Sequence, residues 1–291
     1  MPPPTITMRI RRGYPGAGNA RLAGVSPVAN GTRPATIRAT RYVEPLREGG
    51  SLPGLVEADD DGLYVLKFHG AGQGPRALVA ELIAGEVARA AGLRVPEIAF
   101  VLVEPELGAA EPDPEIRDLL RASPGLNLGL DFLPGSLAYE PAADMEIDPD
   151  LAAEVVWLDA LLTNMDRTAN NPNLLVWHGR LWLIDHGAAL YAHHADPLLA
   201  DAWRRPFPAI AEHVLLPLAG PIDAAGERLA ARLGGATIDE IVAAVPDDWL
   251  SDTPGVAEPD QRRAAYAAHL RRRLDARHEI AEEAERSRPA A

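Results

Sequence analysis

A handful of positions in this chain carry residues able to handle phosphate and a hard metal ion, and they fall in an informative order. Lys67 closes the apolar run Leu63-Tyr64-Val65-Leu66 and is the sole lysine among 28 cationic side chains; every other is arginine. Arginine is a broad planar fork and lysine a compact point charge, so a position that stays lysine is a candidate for a tight phosphate contact. Further on, Asn164-Met165-Asp166-Arg167 opens a polar segment that ends in Asn171-Pro172-Asn173. An Asp with an Asn five residues on suits phosphoryl transfer: the carboxylate orients and deprotonates an acceptor hydroxyl while the amide helps to hold a metal ion. Twelve residues after Asn173, the apolar run Leu181-Trp182-Leu183-Ile184 ends at Asp185-His186-Gly187. Mg²⁺ takes one or two carboxylates plus phosphate oxygens, which makes Asp185 a candidate ligand.

The elements that must position these residues are readable in outline. Tyr42 to Leu46 predicts a short edge strand. Leu52 to Glu57 and Leu63 to Phe68 predict a hairpin joined by a connection ending in Asp61-Gly62. The Gly-rich stretch Gly70 to Gly74 reads as a linker into a helix over 76–91, stopped by Gly92 and burying one face through Leu78, Leu82, Ile83, Val87 and Ala90. Val95 to Val103 and Leu126 to Phe132 predict strands, with a short helix over 115–121 between them. Leu133-Pro134-Gly135-Ser136 breaks regular structure. Beyond it come a helix over 150–163, strands at 173–177 and 180–185, and helices to the end. The last of these, about 259–285, carries Arg271-Arg272-Arg273, read as a solvated face. Trp157, Trp177 and Trp182 are expected in the core. The division predicted is a basic, disordered arm over 1–40, an N-terminal lobe over 41–132 and a helical C-terminal lobe over 133–291.

Composition narrows the function classes. Without cysteine there is no disulfide, zinc-thiolate site or thiol chemistry. No run of about eighteen apolar residues exists and no signal-peptide core opens the chain, so a cytoplasmic protein that does not engage membranes is expected. The net charge of −14 hides an asymmetry, because residues 1–41 hold seven arginines and no acidic residue. The body that follows is strongly acidic, which argues against a nucleic-acid surface on it; the arm remains open to binding RNA or docking on the body. His178, His186, His193 and His194 cluster in sequence without metal-ligand spacing.

Lys in a strand, Glu in the next helix, Asp-x₄-Asn and then strand-Asp-x-Gly is an ordered set. On Val65-Leu66-Lys67-Phe68, Gly74 to Glu81, Ala91 to Pro96, Asn164-Met165-Asp166-Arg167 and Ile184-Asp185-His186-Gly187, the chain resembles the HipA-like kinases in a compact form. The resemblance implies a two-lobed, α+β, protein-kinase-like fold, with a small antiparallel-sheet N-lobe bearing one helix and a mainly helical C-lobe. ATP and Mg²⁺ would bind in the cleft between them. It implies Asp166 as the catalytic residue and Lys67 on the nucleotide phosphates. Glu81 is Lys67's partner, with Glu86 as second choice, and Asp185 with Asn171 or Asn173 holds the metal. Asp131, Phe132 and Leu133 at the lobe junction are assigned to nucleotide binding. Gly49-Gly50-Ser51 is either a phosphate-covering loop or a plain turn. Thr168 departs from the family, where a structural His is common at that position. The expected activity is phosphoryl transfer to Ser or Thr of a protein of unknown identity. A regulatory pseudokinase and a kinase-fold enzyme that transfers AMP are the alternatives.

Overall fold

The computed structural model describes residues 33–46, 52–72, 74–109, 111–143, 145–195, 198–251 and 257–289. Five strands form the first sheet: β1 (Ala35–Pro45), β2 (Gly54–Ala58), β3 (Leu63–Lys67), β4 (Ile98–Val103) and β5 (Gly125–Asp131). Their order is β1-β2-β3-β5-β4, and the sheet closes into a barrel because β1 also pairs with β4. That last pairing is parallel, Ala35 to Arg38 against Ala99 to Leu102. Two expectations are corrected here. The strand begins at Ala35 rather than near Arg41, and it has a neighbour on both sides rather than a free edge. The reason is packing: Ile37 and Ala39 are buried in the small core inside the barrel with Val56, Leu66 and Val101. Residues 35–40 thus belong to the fold, while the rest of the predicted arm, up to residue 32, lies outside the described residues.

The β2–β3 hairpin aims Lys67. Asp61 takes φ 64°, and Asp60 accepts from the Gly62 amide at 3.0 Å and from the Tyr64 hydroxyl at 2.7 Å. This local turn chemistry sets the register Gly54↔Leu66, which puts Lys67 at the strand's end opposite Leu128 of β5. Helix α1 (Pro75–Ala90) starts with Pro in its first turn and stops at Gly92, φ 87°. It was expected to bury one face; instead every residue from Leu78 to Gly85 is buried. The barrel lies on one side of it and α5 (Gly235–Ala243) and α6 (Asp247–Leu250) on the other. A second helix, α2 (Pro114–Arg121), capped by Asp113, closes the barrel's end, so this lobe carries two helices rather than one.

The remaining chain is built on α3 (Pro149–Leu162), which is buried along almost its whole length. A three-stranded sheet, β6 (Leu137–Ala138), β7 (Leu174–Trp177) and β8 (Arg180–Leu183), lies in order of sequence. His178 and Gly179 both take positive φ, the turn that matches strand twist in a two-residue hairpin. The predicted helical stretch after residue 190 is a string of short 3₁₀ turns up to Leu218, followed by α4 (Ile222–Ala230). The long terminal helix is two, α7 (Pro259–Asp275) and α8 (Arg277–Arg286), broken at Ala276. Arg273 is not on a solvated face. It is 2% exposed and donates to the carbonyls of Leu161, Ala160 and Trp203. Of the three tryptophans only Trp157 is core; Trp177 and Trp182 meet edge to face across the β7–β8 hairpin. No described helix is long and apolar enough to cross a membrane.

Candidate functional site

Lys67, Glu81 and Asp185 converge on one ammonium group. Lys67 Nζ donates to Glu81 Oε2 and to Asp185 Oδ1, each at 2.6 Å. Burial alone would lower the lysine's pKa, but the two carboxylates more than offset it and raise it. Burial likewise opposes ionisation of Glu81, yet Lys67 and His186 bring it down to about 2. His186 Nδ1 sits 3.7 Å from Glu81 Oε1, both side chains fully enclosed. Glu86 does not reach Lys67; it pairs with Arg89 at 3.6 Å, and burial raises its pKa.

A second cluster forms at the Asp166 loop. Asn171 Nδ2 donates to Asp166 Oδ2 at 2.8 Å, and Asn173 Nδ2 donates to the Asp166 main-chain oxygen at 3.1 Å. Both asparagines spend their amide N–H on Asp166, which leaves both amide oxygens facing away from that bond. Asn173 and Asp185 each take a left-handed backbone, φ 49° and 53°. Such strain in non-glycine residues collects at functional sites, where the surroundings enforce it.

The enforcing residue is Arg167, 1% exposed. Its Nε donates to Asp159 of α3 at 2.5 Å, and one terminal nitrogen donates to the carbonyl of Asn173 and, at 3.4 Å, to that of Ile184. The Ile184 amide in turn donates to the Asn173 carbonyl at 3.1 Å. One guanidinium thus ties the Asp166 loop to the residue just before Asp185. Asp159 also accepts from Asn164 Nδ2 at 3.0 Å and from His213 Nε2 at 3.0 Å. Because His213 Nδ1 accepts from the Leu215 amide at 3.1 Å, its proton sits on Nε2. Burial lowers the pKa of His213, so the ring is a neutral donor, and Arg167 with His213 outweighs burial to hold Asp159 well below the carboxylate range.

Asp159 and His213 were missed by sequence reasoning, and Arg167 was quoted without a role. Asp159 did leave a signal: it is the one charge in the apolar run from Val155 to Leu162, and a buried charge needs a partner. His213 left none, being 45 residues past Thr168. In space it bridges Thr168 directly, so a histidine stands beside the catalytic loop after all, supplied from elsewhere in the chain.

A cleft of about 1390 Å³ lies between the barrel and the helical part. Lys67 and Asp185 line it, as do Asp131, Phe132 and Leu133, with Val65 and Leu130 giving apolar walls. Burial pushes the Asp131 carboxyl up to about 6, with Glu97 and Asp60 adding to the shift. Asp166, Asn171 and Asn173 are not part of the cleft wall and connect to it through Arg167. Gly49, Gly50 and Ser51 lie outside the described residues. Among the described residues no group of three or more His, Asp or Glu side chains makes a self-sufficient metal site. His193 and His194 contact each other at 3.2 Å, and His193 bonds Tyr266 at 2.8 Å.

The profile of the HipA-like kinase family matches residues 40–278. The chain belongs to that family. A Helicobacter pylori proinflammatory kinase, CtkA, is similar in structure, with TM-score 0.51 at 15% identity over 85% of this chain and 99% of that one. A Golgi casein kinase with Mn and ADP bound gives TM-score 0.44 at 13% identity, covering 87% of this chain and 74% of that one. No curated protein matches. The likeness to CtkA accords with a kinase-like fold, in which the closed barrel occupies the place of the expected N-lobe sheet. As a HipA-like kinase the protein is a phosphotransferase.

Proposed function

We propose that this HipA-like kinase uses ATP and Mg²⁺ to phosphorylate a Ser or Thr hydroxyl of a protein. The observation that carries the reading is the shared ammonium. Lys67 from the barrel, Glu81 from α1 and Asp185 from the other side of the cleft meet within 2.6 Å contacts. Phosphoryl transfer asks a protein for positioned charge more than for covalent chemistry, and this is positioned charge.

The donors suit a hard cation. Asp185 commits only Oδ1 to Lys67, and the amide oxygens of Asn171 and Asn173 are not spent on Asp166, so the atoms that would hold the ion are oxygens, as Mg²⁺ prefers. Bound there, Mg²⁺ would neutralise phosphate charge. Asn173 is the better placed asparagine, because its carbonyl holds the Ile184 amide one residue from Asp185, whereas Asn171 is engaged by the Asp166 carboxylate. Glu81 keeps Lys67 extended and charged towards the nucleotide phosphates. Asp166 accepts a hydrogen bond from the acceptor hydroxyl, aligns it and takes its proton as the oxygen attacks. Asp131, Phe132 and Leu133 contribute wall to the nucleotide site.

The test is purified protein with Mg²⁺ and ATP labelled in turn at the γ- and the α-phosphate, offered Ser- and Thr-containing protein acceptors. Label transferred only from the γ position is expected. Label from the α position would mean AMP transfer, and label from neither with nucleotide still bound would mean a pseudokinase.

A further inference from the structure

A second cavity, about 250 Å³, opens beside the catalytic loop and shares no wall with the large cleft. Its mouth carries Met165 and Tyr191, 40% and 53% exposed. Met165 directly precedes Asp166, and neighbouring Cα atoms lie about 3.8 Å apart, so the opening is within a side chain's reach of the residue proposed to meet the acceptor hydroxyl.

The cavity has apolar walls, from Phe207 and its flanking prolines, and a polar floor. His269 of α7 is 3% exposed, lines the cavity, and has no hydrogen-bond partner on either ring nitrogen. The Thr163 hydroxyl, also lining it and buried, has none either. Buried polar groups are nearly always paired, so two orphans on one floor point to a ligand that supplies the partners. Burial and then Arg273 push the His269 imidazole down to about 3, so the ring is neutral and offers one donor and one acceptor. Arg273 itself is committed to main-chain carbonyls. Arg273 does not line the cavity, so no cationic donor reaches the floor to hydrogen-bond a buried carboxylate or phosphate. An uncharged polar tip fits instead. At the rim the exposed Arg205 side chain has no partner among the described residues and can lie over an aromatic face. The volume is below the usual range for whole cofactors and suits one side chain.

We propose that this cavity receives a tyrosine-like side chain of the acceptor polypeptide, next to the residue whose hydroxyl meets Asp166. The assignment rests on the phosphotransferase reading for its role, but the binding step can be tested without it.

The chain has four methionines, so methyl-¹³C-methionine labelling of the full protein gives few signals, and Met165→Leu identifies the one at the mouth. Titration with N-acetyltyrosinamide should move the Met165 signal saturably. N-acetylphenylalaninamide, which leaves the floor unpaired, should bind about tenfold more weakly. His269→Phe should erase that difference, and Ala209→Trp, which fills the cavity from its wall, should abolish both shifts. No shift with the tyrosine probe, or equal binding of the two probes to wild type, overturns the inference. A library of Ser- and Thr-containing peptides with varied flanks then tests the role. Selection of tyrosine at one flanking position, lost in Ala209→Trp, is expected; labelling without that preference overturns the role. Intact probe binding with no peptide labelled overturns the phosphotransferase reading and the flanking-residue role together, leaving the cavity as a binding site only.

Discussion

Asp159 and Arg167 form an ion pair with both side chains fully enclosed, Oδ2 to Nε 2.5 Å, and it anchors the Asp166 loop to helix α3. The pair spans helix α3 and the loop, while one terminal nitrogen of the guanidinium holds the carbonyls of Asn173 and of Ile184, the residue before Asp185. A buried pair contributes little when intact against a well-packed apolar alternative, but removing one partner strands the other.

Arg167→Ala should therefore destabilise the fold by about 3–5 kcal/mol, the scale for an uncompensated buried charge. Arg167→Lys should recover only part of this, since a single ammonium cannot serve Asp159 and two carbonyls in the same fork geometry. Equilibrium urea unfolding of both variants measures it. A loss below about 1 kcal/mol in Arg167→Ala, within the range of ordinary surface changes, would show that the loop has another anchor.

His269 should cost the fold stability as pH drops from 7.5 to 5. Its folded-state pKa is depressed from 6.5 to about 3, so below 6.5 the unfolded chain takes up a proton that the folded chain refuses. The contribution is fully present above 6.5 and declines by roughly 1.4 kcal/mol per pH unit below it. His213, also lowered by burial, acts in the same direction. Asp159 is depressed from 3.8, so its contribution is lost only as pH falls through that lower range. Asp131, raised to about 6, and Glu86, also raised by burial, act the other way over this window, so the His269 share is read by difference: His269→Phe should remove about 2 kcal/mol of loss between pH 7.5 and 5. Guanidinium unfolding at both pH values reads it; an unchanged pH dependence would show that His269 finds a partner in solution.

Lys67→Arg should be nearly as damaging to phosphoryl transfer as Lys67→Ala. The ammonium fits between two carboxylate oxygens at 2.6 Å each with the side chain 10% exposed, and a guanidinium needs a wider, planar berth. Both variants should lose turnover by orders of magnitude, and Lys67→Ala, which strands the buried Glu81 carboxylate, should lose stability as well. Wild-type turnover in Lys67→Arg would remove the compact charge from the mechanism.

What was legible in the sequence is what is local. The Asp61-Gly62 turn, the strand that ends in Lys67, the helix that stops at Gly92 and the two Asp-bearing loops all rest on patterns a few residues long. The parts that were hidden join residues far apart. The first half of β1 reads as an arm because its composition is that of an arm, and only its partner, β4, some sixty residues on, buries Ile37. Arg273 reads as solvated because a run of three arginines shows charge and not partners; its acceptors lie 112 and 113 residues earlier. His213 stands near Thr168 only after the chain has folded back. The grouping of Lys67 with Glu81 was thus legible, and the residues that tie the Asp166 loop to Asp185 were not.

The two aspartates should fail in different ways. Asp185 contacts Lys67 and lines the cleft, so Asp185→Asn should weaken Mg²⁺-dependent nucleotide binding and abolish transfer together. Asp166 lies outside the cleft wall, held by Asn171 and Asn173, and is the residue proposed to meet the acceptor. Asp166→Asn should keep Mg·ATP affinity within a few-fold and lose transfer by roughly two to four orders of magnitude, the scale of a positioned acid–base group. The asparagines should divide on the same line. Asn173→Ala keeps its backbone bond to Ile184 but loses the amide oxygen proposed for the ion and should weaken Mg·ATP binding, whereas Asn171→Ala frees the Asp166 carboxylate and should act on transfer. Calorimetric titration of the four variants with Mg·ATP, beside a turnover assay, separates these roles. Equal loss of nucleotide binding in Asp166→Asn and Asp185→Asn would refute the division, because it would require both carboxylates to face the same phosphates.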